Sequence, residues 1–184
     1  MEAAPPVTLS ATGESPLRIR IASGESDLKS ASAIYAKSWK EAYRSILKAQ
    51  TLDRITDDFW IGFFHKNYKS KRFNIALVDY EGRDIAAGGF GGSRDYDDAD
   101  RGEVTSIYLL PEVWGSGFGT SLMDFMVRQL QSQGYKKIHL WVLSDNVRAI
   151  RFYDKFGFIP SGNRKEIVFD GETKTEEEFC LYFR

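Results

Sequence analysis

The segment that most constrains the fold joins an apolar strand to an amphipathic helix through a turn rich in glycine. Apolar residues at 107–110 run into Pro111, and three alternating glycines follow at Gly115, Gly117 and Gly119. Beyond them, apolar residues recur at the three- and four-residue steps of one helix face: Phe118, Leu122, Phe125, Met126 and Leu130. The pattern predicts a strand, a tight turn and a helix whose start is rich in glycine.

Glycines at the start of a helix favour an anion-binding site. The first N–H groups of a helix have no intrahelical partner and carry partial positive charge. Without Cβ atoms in the way, these amides can approach a phosphate closely. Two other phosphate-binding patterns do not fit, because Thr120 replaces the third glycine of the dinucleotide fingerprint and no Gly-Lys-Ser/Thr sequence closes the run as in a P-loop. A tight connection without a ligand is the alternative.

The glycine turn resembles the acyl-CoA pyrophosphate loop of the GNAT N-acetyltransferase superfamily, Q/R-x-x-G-x-G/A. Residues 114–119 carry it here, with Trp114 in place of the usual Gln or Arg. A second block, at 146–158, matches the family segment N-x-x-A-x-x-x-Y-x-x-x-G-F at every fixed position. The strong match covers about residues 102–160, and a looser one extends over roughly 17–184. Two motifs in the right order and at the right spacing make the resemblance specific.

The resemblance implies an α+β fold, which the order of predicted elements matches. The GNAT fold is a three-layer sandwich whose mixed, mostly antiparallel central sheet splays open between the strands near Leu110 and Ile138 to admit acyl-CoA. Alternation and apolar runs predict seven strands, at 17–21, 73–78, 84–90, 104–110, 137–143, 158–169 and 175–183. Periodicity predicts four helices, at 25–47, 51–68, 116–133 and 146–156.

Length and composition indicate one globular domain. The chain has 184 residues, 42% of them hydrophobic, and its net charge of −1 gives no reason to expect nucleic acid or a membrane surface as a partner. We expect residues 1–16 to form a flexible tail and 17–184 a single N-acetyltransferase domain. No apolar run reaches the roughly 18 residues that span a bilayer. The one cysteine, Cys180, is predicted to be a buried thiol, and we expect a cytoplasmic protein.

The resemblance implies that acetyl-CoA binds as a co-substrate along both motifs. The implied contacts are the backbone of Ile107, Tyr108 and Leu109 for pantetheine, the turn residues Gly115, Ser116, Gly117, Phe118, Gly119 and Thr120 for pyrophosphate, and Asn146 for the CoA arm. Asn146 also suits the N-cap of the helix that it precedes. Tyr153 matches the tyrosine that GNAT enzymes hold near the thioester sulfur, so we predict that it protonates the departing thiolate. The alternative for Tyr153 is packing on an apolar helix face.

Glu103 is the residue that we predict to be the general base. Counting by twos along its strand, it shares a face with Thr105, Ile107 and Leu109. Many GNAT enzymes carry a glutamate at the matching place, which draws the proton of the amine through water. Ribosomal-protein N-terminal acetyltransferases instead use a glutamate on the following strand, where this chain has Trp141. A solvated glutamate at a strand end is the alternative.

Two aromatic residues are candidates for the acceptor side of the site. Trp39 and Tyr43 lie one helical turn apart and resemble a segment that many small-molecule GNAT enzymes place over the acceptor cleft. Their rings would suit a cationic or apolar acceptor, and two core aromatics are the alternative. No metal is expected, because His65 and His139 do not have ligand spacing and the acidic loop 95–100 lacks the glycine and glutamate of an EF-hand.

The sequence therefore predicts an acetyl-CoA-dependent N-acetyltransferase that transfers the acetyl group directly to a primary amine of a small molecule. Acetylation of a peptide or protein amine is the alternative within the same chemistry. A non-catalytic acyl-CoA sensor is the alternative of a different class. Dimers are common in the superfamily, so a homodimer is compatible with the resemblance, although no surface patch in the sequence requires one.

Overall fold

The structure is a computed structural model that describes residues 16–68, 73–169 and 171–183. Of the predicted tail, residues 1–15 lie outside the described residues. The elements within them follow in the order β1 Leu17–Ile21, α1 Glu25–Ala42, α2 Ala49–Asp53, α3 Ile61–Tyr68, β2 Phe73–Tyr80, β3 Arg83–Gly92, β4 Arg101–Leu109, α4 Phe118–Ser132, β5 Lys137–Leu143, α5 Val147–Phe156, β6 Ile159–Phe169 and β7 Glu172–Tyr182. A 3₁₀ turn at Pro111–Val113 leads from β4 toward α4.

The strands form one sheet in the order β1-β2-β3-β4-β5-β7-β6. All neighbours are antiparallel except β4 and β5, which are parallel. Helices α1 and α4 pack against the central strands β2, β3 and β4. These features confirm the predicted α+β fold with a mixed, mostly antiparallel sheet. None of the helices in the described part of the chain is long and apolar enough to cross a bilayer.

Strands β4 and β5 pair only at one end. Residues 101–103 of β4 pair with 137–139 of β5, and beyond this point the two strands diverge. The divergence agrees with the predicted splay. It leaves the last residues of β4 without a neighbouring strand on the β5 side, so their backbone groups face open space rather than a ladder.

A β-bulge interrupts β4 just before the splayed segment. Gly89 of β3 pairs with Ser106 and Phe90 pairs with Val104, so Thr105 is an extra residue on β4. An extra residue reverses the alternation of side chains along the rest of the strand. Side chains on the two sides of the bulge therefore cannot be assigned to faces by counting in twos.

The bulge corrects one prediction about β4. Past it, Tyr108 packs edge-on against Tyr35 of α1, with ring centroids 4.6 Å apart. Ile107 points the other way, toward α4. It pairs with Gly88 of β3, and a Cβ on Gly88 would meet Met126 of α4. Residues that pair across two strands point to the same face of the sheet. The prediction that Glu103 and Ile107 share one face is wrong, since the extra residue lies between them.

The helices differ from their predicted bounds in the first half of the chain. The helix predicted at 25–47 ends at Ala42, and the one predicted at 51–68 consists of two short helices, α2 and α3. Between these two, the Thr56 hydroxyl donates to Asp58 at 2.5 Å, and the Phe59 N–H donates to the Thr56 carbonyl at 3.1 Å. The first bond is of the kind by which short polar side chains compete with helical bonds, and the second closes a turn, so the helix is interrupted here.

Candidate active site

The splay between β4 and β5 opens a cleft of about 740 Å³. Its walls come from the ends of both strands, the starts of α4 and α5 and the end of α1. Most of the predicted site residues line it: Trp39, Tyr43, Ile107, Tyr108, Leu109, Gly115, Gly117, Gly119, Thr120, Asn146 and Tyr153. Ser116, Phe118 and Glu103 do not. The structure thus brings together residues from parts of the chain that are far apart in sequence.

The glycine turn forms the start of α4. Gly117 is the N-cap residue with a φ of 87°, and Gly115 has a φ of 82°, a region that favours glycine. The carbonyl of Gly117 accepts hydrogen bonds from Thr120 and Ser121, which begins the helix. The side chain of Phe118 is buried and packs against the core. The geometry is that of a helix N-terminus open to an anion.

Two cationic side chains line the cleft, and one of them lies beside the turn that precedes this helix. The guanidinium of Arg148 stacks on the Trp114 ring at 3.2 Å, and the indole N–H of Trp114 donates to the Leu109 carbonyl at 2.9 Å. Trp114, where the family has Gln or Arg, therefore holds a cation from α5 at the rim of the cleft. Lys155 lines the same cleft. Both charges complement a phosphate-bearing ligand.

Helix α5 positions Asn146 and Tyr153. The Asn146 side-chain oxygen accepts the Ala149 N–H at 3.1 Å, which confirms Asn146 as the N-cap. Seven residues later, Tyr153 is only 8% exposed and packs against Phe152 and Phe158. Burial raises the pKa of the Tyr153 phenol. The phenol is protonated at neutral pH, as a proton donor must be.

The acceptor candidates Trp39 and Tyr43 both pack together and line the cleft. Their ring centroids are 4.5 Å apart, and the Trp39 indole donates to the Tyr108 hydroxyl at 2.6 Å. Burial raises the pKa of Tyr43, while hydrogen bonding with Tyr108 and Asn146 acts in the opposite direction. The pair can therefore both pack as core aromatics and face an acceptor in the cleft. A network of hydroxyl, indole and amide groups links α1, β4 and α5 around the cleft.

Glu103 lies in an ion pair outside the cleft. It is only 1% exposed, and Arg94 reaches it through its backbone N–H at 3.0 Å, its Nε at 3.1 Å and its Nη2 at 2.5 Å. This bidentate pair fixes the loop after β3 to the sheet. The role of Glu103 as a base stays a prediction, and its contacts are those of a structural residue.

Replacing Glu103 by Gln is expected to lower the free energy of unfolding by about 1–3 kcal/mol, because a buried amide cannot replace the charge-assisted bonds to Arg94. Urea denaturation of both proteins measures the loss. If Glu103 has only this structural role, kcat of the folded variant stays within about twofold of that of the unchanged protein. A large fall in kcat at unchanged stability would instead assign Glu103 to the reaction.

Glu176 is a cleft residue that the sequence did not single out. It lies on β7, opposite Leu143 of β5 and Lys165 of β6, and it lines the cleft. Trp141 and Phe169, on the neighbouring strands, line the same end. Three consecutive glutamates at 176–178 of β7 give no alternation that would show which of them faces the site. Only the pairing of β7 with β5 shows that this glutamate faces the site.

Comparisons with known proteins give the family. The sequence model of the acetyltransferase (GNAT) family matches residues 34–158. The N-acetyltransferase YuaI of Bacillus subtilis is 26% identical over 132 residues, which are 71% of this chain and 73% of that protein. The mycothiol acetyltransferase of Frankia casuarinae is 43% identical over 58 residues, which are 32% of this chain but only 17% of that protein.

A solved structure shows the same fold. The PaiA N-acetyltransferase of Thermoplasma acidophilum, determined in complex with coenzyme A, superposes with a TM-score of 0.66 at 19% identity. The superposition covers 88% of this chain and 97% of that one. The family model spans more than half of the sequence and accounts for both motifs around the cleft. The chain therefore belongs to the acetyltransferase (GNAT) family.

Proposed function

We propose that the protein transfers the acetyl group of acetyl-CoA directly to the primary amine of a small molecule. The proposal rests on the cleft that runs from the glycine-rich start of α4 past Tyr153 to Trp39 and Tyr43, because donor and acceptor can meet in it. Cys180 is buried on β7 away from the cleft lining, so we propose no acyl-enzyme intermediate. Its free thiol fits a reducing compartment such as the cytoplasm.

The donor half of the proposal uses the backbone more than side chains. N–H groups at the start of α4 bind the pyrophosphate, and Arg148 and Lys155 supply positive charge within the same cleft. Residues 107–109 offer backbone groups to the pantetheine amides, much as a neighbouring strand would. The PaiA complex supports a coenzyme A donor for this fold.

The transfer makes two chemical demands. An alkylamine with a pKa of about 10.4 is neutral in about one molecule of a few thousand at pH 7, so a base must take its proton before it attacks the thioester. The departing thiolate, whose conjugate acid has a pKa of about 8.5, leaves more easily when it is protonated. Tyr153 is our proposed acid, since its phenol lines the cleft and keeps its proton.

The size and lining of the cleft favour a small acceptor. Its volume of about 740 Å³ must hold the pantetheine arm as well as the acceptor, and its acceptor end is lined by aromatic rings and one carboxylate. The name of the Frankia relative supports acetyl transfer, but the match covers 32% of this chain and does not fix the acceptor.

Amine-dependent release of free CoA thiol from acetyl-CoA tests the proposal. We expect release with at least one small amine from a panel of spermidine, tyramine, lysine and kanamycin, and none with short peptides. Release with peptides alone would overturn the small-molecule acceptor and indicate a peptide or protein amine instead. Calorimetric binding of acetyl-CoA without release by any amine or peptide would favour a sensor and overturn the enzyme.

A further inference from the structure

We propose that Glu176 is the general base of the reaction and that its carboxylate selects acceptors that arrive as ammonium ions. This inference rests on the proposed N-acetyltransferase function and adds the group that prepares the amine for attack. It differs from the sequence-based prediction, which placed the base on β4 at Glu103.

The position of Glu176 is fixed by strand pairing. It lies on β7 directly opposite Leu143, the last residue of β5, where β4 and β5 have already diverged. Its side chain is 20% exposed and contributes to the cleft lining together with Trp141 and Phe169. The carboxylate thus sits at the aromatic end of the cleft, where an amine would be held.

Within the part of the chain that the structure describes, Glu176 is the cleft-lining group suited to take a proton from an ammonium ion. Among the lining residues in the described part of the chain, Glu176 is the only one with a carboxylate, and none is a histidine or cysteine. The phenols of Tyr43, Tyr108 and Tyr153 have a pKa raised by burial, so they keep their protons at neutral pH. Both its position in the cleft and the lack of another suitable group among the described lining residues therefore favour Glu176 as the base.

The charged groups around Glu176 leave it available. Lys165 on β6 approaches it to 3.7 Å, but the Lys165 ammonium lies closer to Asp95, at 3.0 Å, and over the Trp141 ring. Burial raises the pKa of Glu176, Lys165 and Arg94 lower it, and Asp95 raises it again. A carboxylate with a raised pKa is a stronger base than one with the ordinary pKa.

Tyr43 links this base to the proposed acid. Glu176, Tyr43 and Tyr153 line one cleft, and the charge of Glu176 contributes to the raised pKa of the Tyr43 phenol. An ammonium beside Glu176 would therefore be close to a thioester beside Tyr153. The aromatic rings of Trp39 and Trp141 line the space between the strands and the helix and suit the body of such a cation.

The protons balance as follows. Glu176 takes one proton from the ammonium, and the neutral nitrogen attacks the thioester carbonyl carbon and forms the C–N bond. The C–S bond breaks, and the electron pair leaves on sulfur, which takes a proton from Tyr153. The second proton of the nitrogen returns to the Tyr153 phenolate, and Glu176 releases its own proton to solvent. The products are the amide, CoA thiol and one proton.

The test compares Glu176→Gln with the unchanged protein, using whichever amine of the panel reacts fastest. We expect kcat/KM to fall by about 100-fold or more at neutral pH. The unchanged protein should lose activity as the pH falls through the raised pKa of Glu176, and the variant should lack this acid limb. The deficit should shrink as the pH rises toward the amine pKa of about 10, since free amine then needs no base.

Glu177→Gln is the matched control. Glu177 is the next residue on β7, points to the other face and pairs with Arg164 at 2.8 Å, so its loss should leave the kinetics unchanged. Glu176→Asp keeps the carboxylate and should retain the acid limb. A folded Glu176→Gln variant with an unchanged rate and pH profile would overturn the assignment of Glu176 alone. If the unchanged protein releases no thiol with any amine, the proposed function fails, and this inference with it.

Discussion

Replacing Tyr153 by Phe is expected to lower kcat for amine-dependent release of CoA by about 100-fold or more, the usual size of a general-acid contribution. The variant removes one oxygen atom from a residue whose ring packs against Phe152 and Phe158, so the fold should persist. The leaving thiolate loses its proton donor, while acetyl-CoA keeps all of its backbone contacts. We therefore expect a fall in kcat with little change in the affinity for acetyl-CoA, measured by steady-state kinetics and calorimetry.

Tyr135→Phe is the control for this variant. Tyr135 follows α4, packs against the core and does not line the cleft, so it tests the loss of a phenol elsewhere. Its kcat should match that of the unchanged protein. A Tyr153→Phe protein with the same melting temperature and the same kcat as the unchanged protein would contradict the role as an acid. Tyr153 would then only pack on the apolar face of its helix, which is the alternative given above.

Replacing Gly117 by Leu is expected to weaken acetyl-CoA binding by about ten- to a hundredfold, the loss of one charge-assisted hydrogen bond of about 1.5–3 kcal/mol. Gly117 lines the cleft, and a Cβ there would meet no protein atom within 4 Å. The new side chain would thus extend into the space that a phosphate needs at the start of α4. Calorimetry with acetyl-CoA measures the change.

Gly134→Leu separates this effect from backbone strain. Gly134 follows the other end of α4, has a φ of 93° and also has open space around its Cβ position. Each variant forces a side chain into the left-handed region, at a cost of roughly 1–2 kcal/mol, so both should lower the melting temperature by similar amounts. Only Gly117→Leu should affect binding. If both variants bound acetyl-CoA with the same affinity, the glycine turn would be only a tight connection between β4 and α4 and not a phosphate-binding site.

The sequence predicted the site best where one short segment determines both structure and chemistry. The block that begins at Asn146 is an example, because the N-cap and the helix follow from local spacing, and the family resemblance adds the role that we propose for Tyr153. The start of α4 is another, since the positive φ angles at Gly115 and Gly117 concern single residues. In such segments, capping and periodicity act within a few residues of each other.

The features that the sequence did not predict depend on the pairing of distant strands. The bulge at Thr105 appears only in the register between β3 and β4, and it reverses which side chains face α1. The exposure of Glu176 to the cleft likewise follows from the pairing of β7 with β5. The alternation of side chains within one strand indicates neither the bulge nor the exposure of Glu176 to the cleft.

The burial of Glu103 is a third feature of this kind. Its partner Arg94 lies in the loop after β3, and nothing in the spacing of the two residues predicts that three nitrogens of Arg94 donate to its carboxylate. A glutamate at a strand end is usually solvated or functional, and this one binds a loop to the sheet. The resemblance to the family indicated the acid that we propose, whereas no pattern in the sequence indicated the proposed base.

The central claim is direct acetyl transfer from acetyl-CoA to a small primary amine. The most direct test follows free CoA thiol in the presence and absence of the amine and identifies the acetylated product by mass spectrometry. Our account predicts one N-acetylated amine for each thiol released, and no accumulation of acetylated protein. Thiol release at the same rate with and without amine, or an acetyl group that stays on the protein, would contradict it.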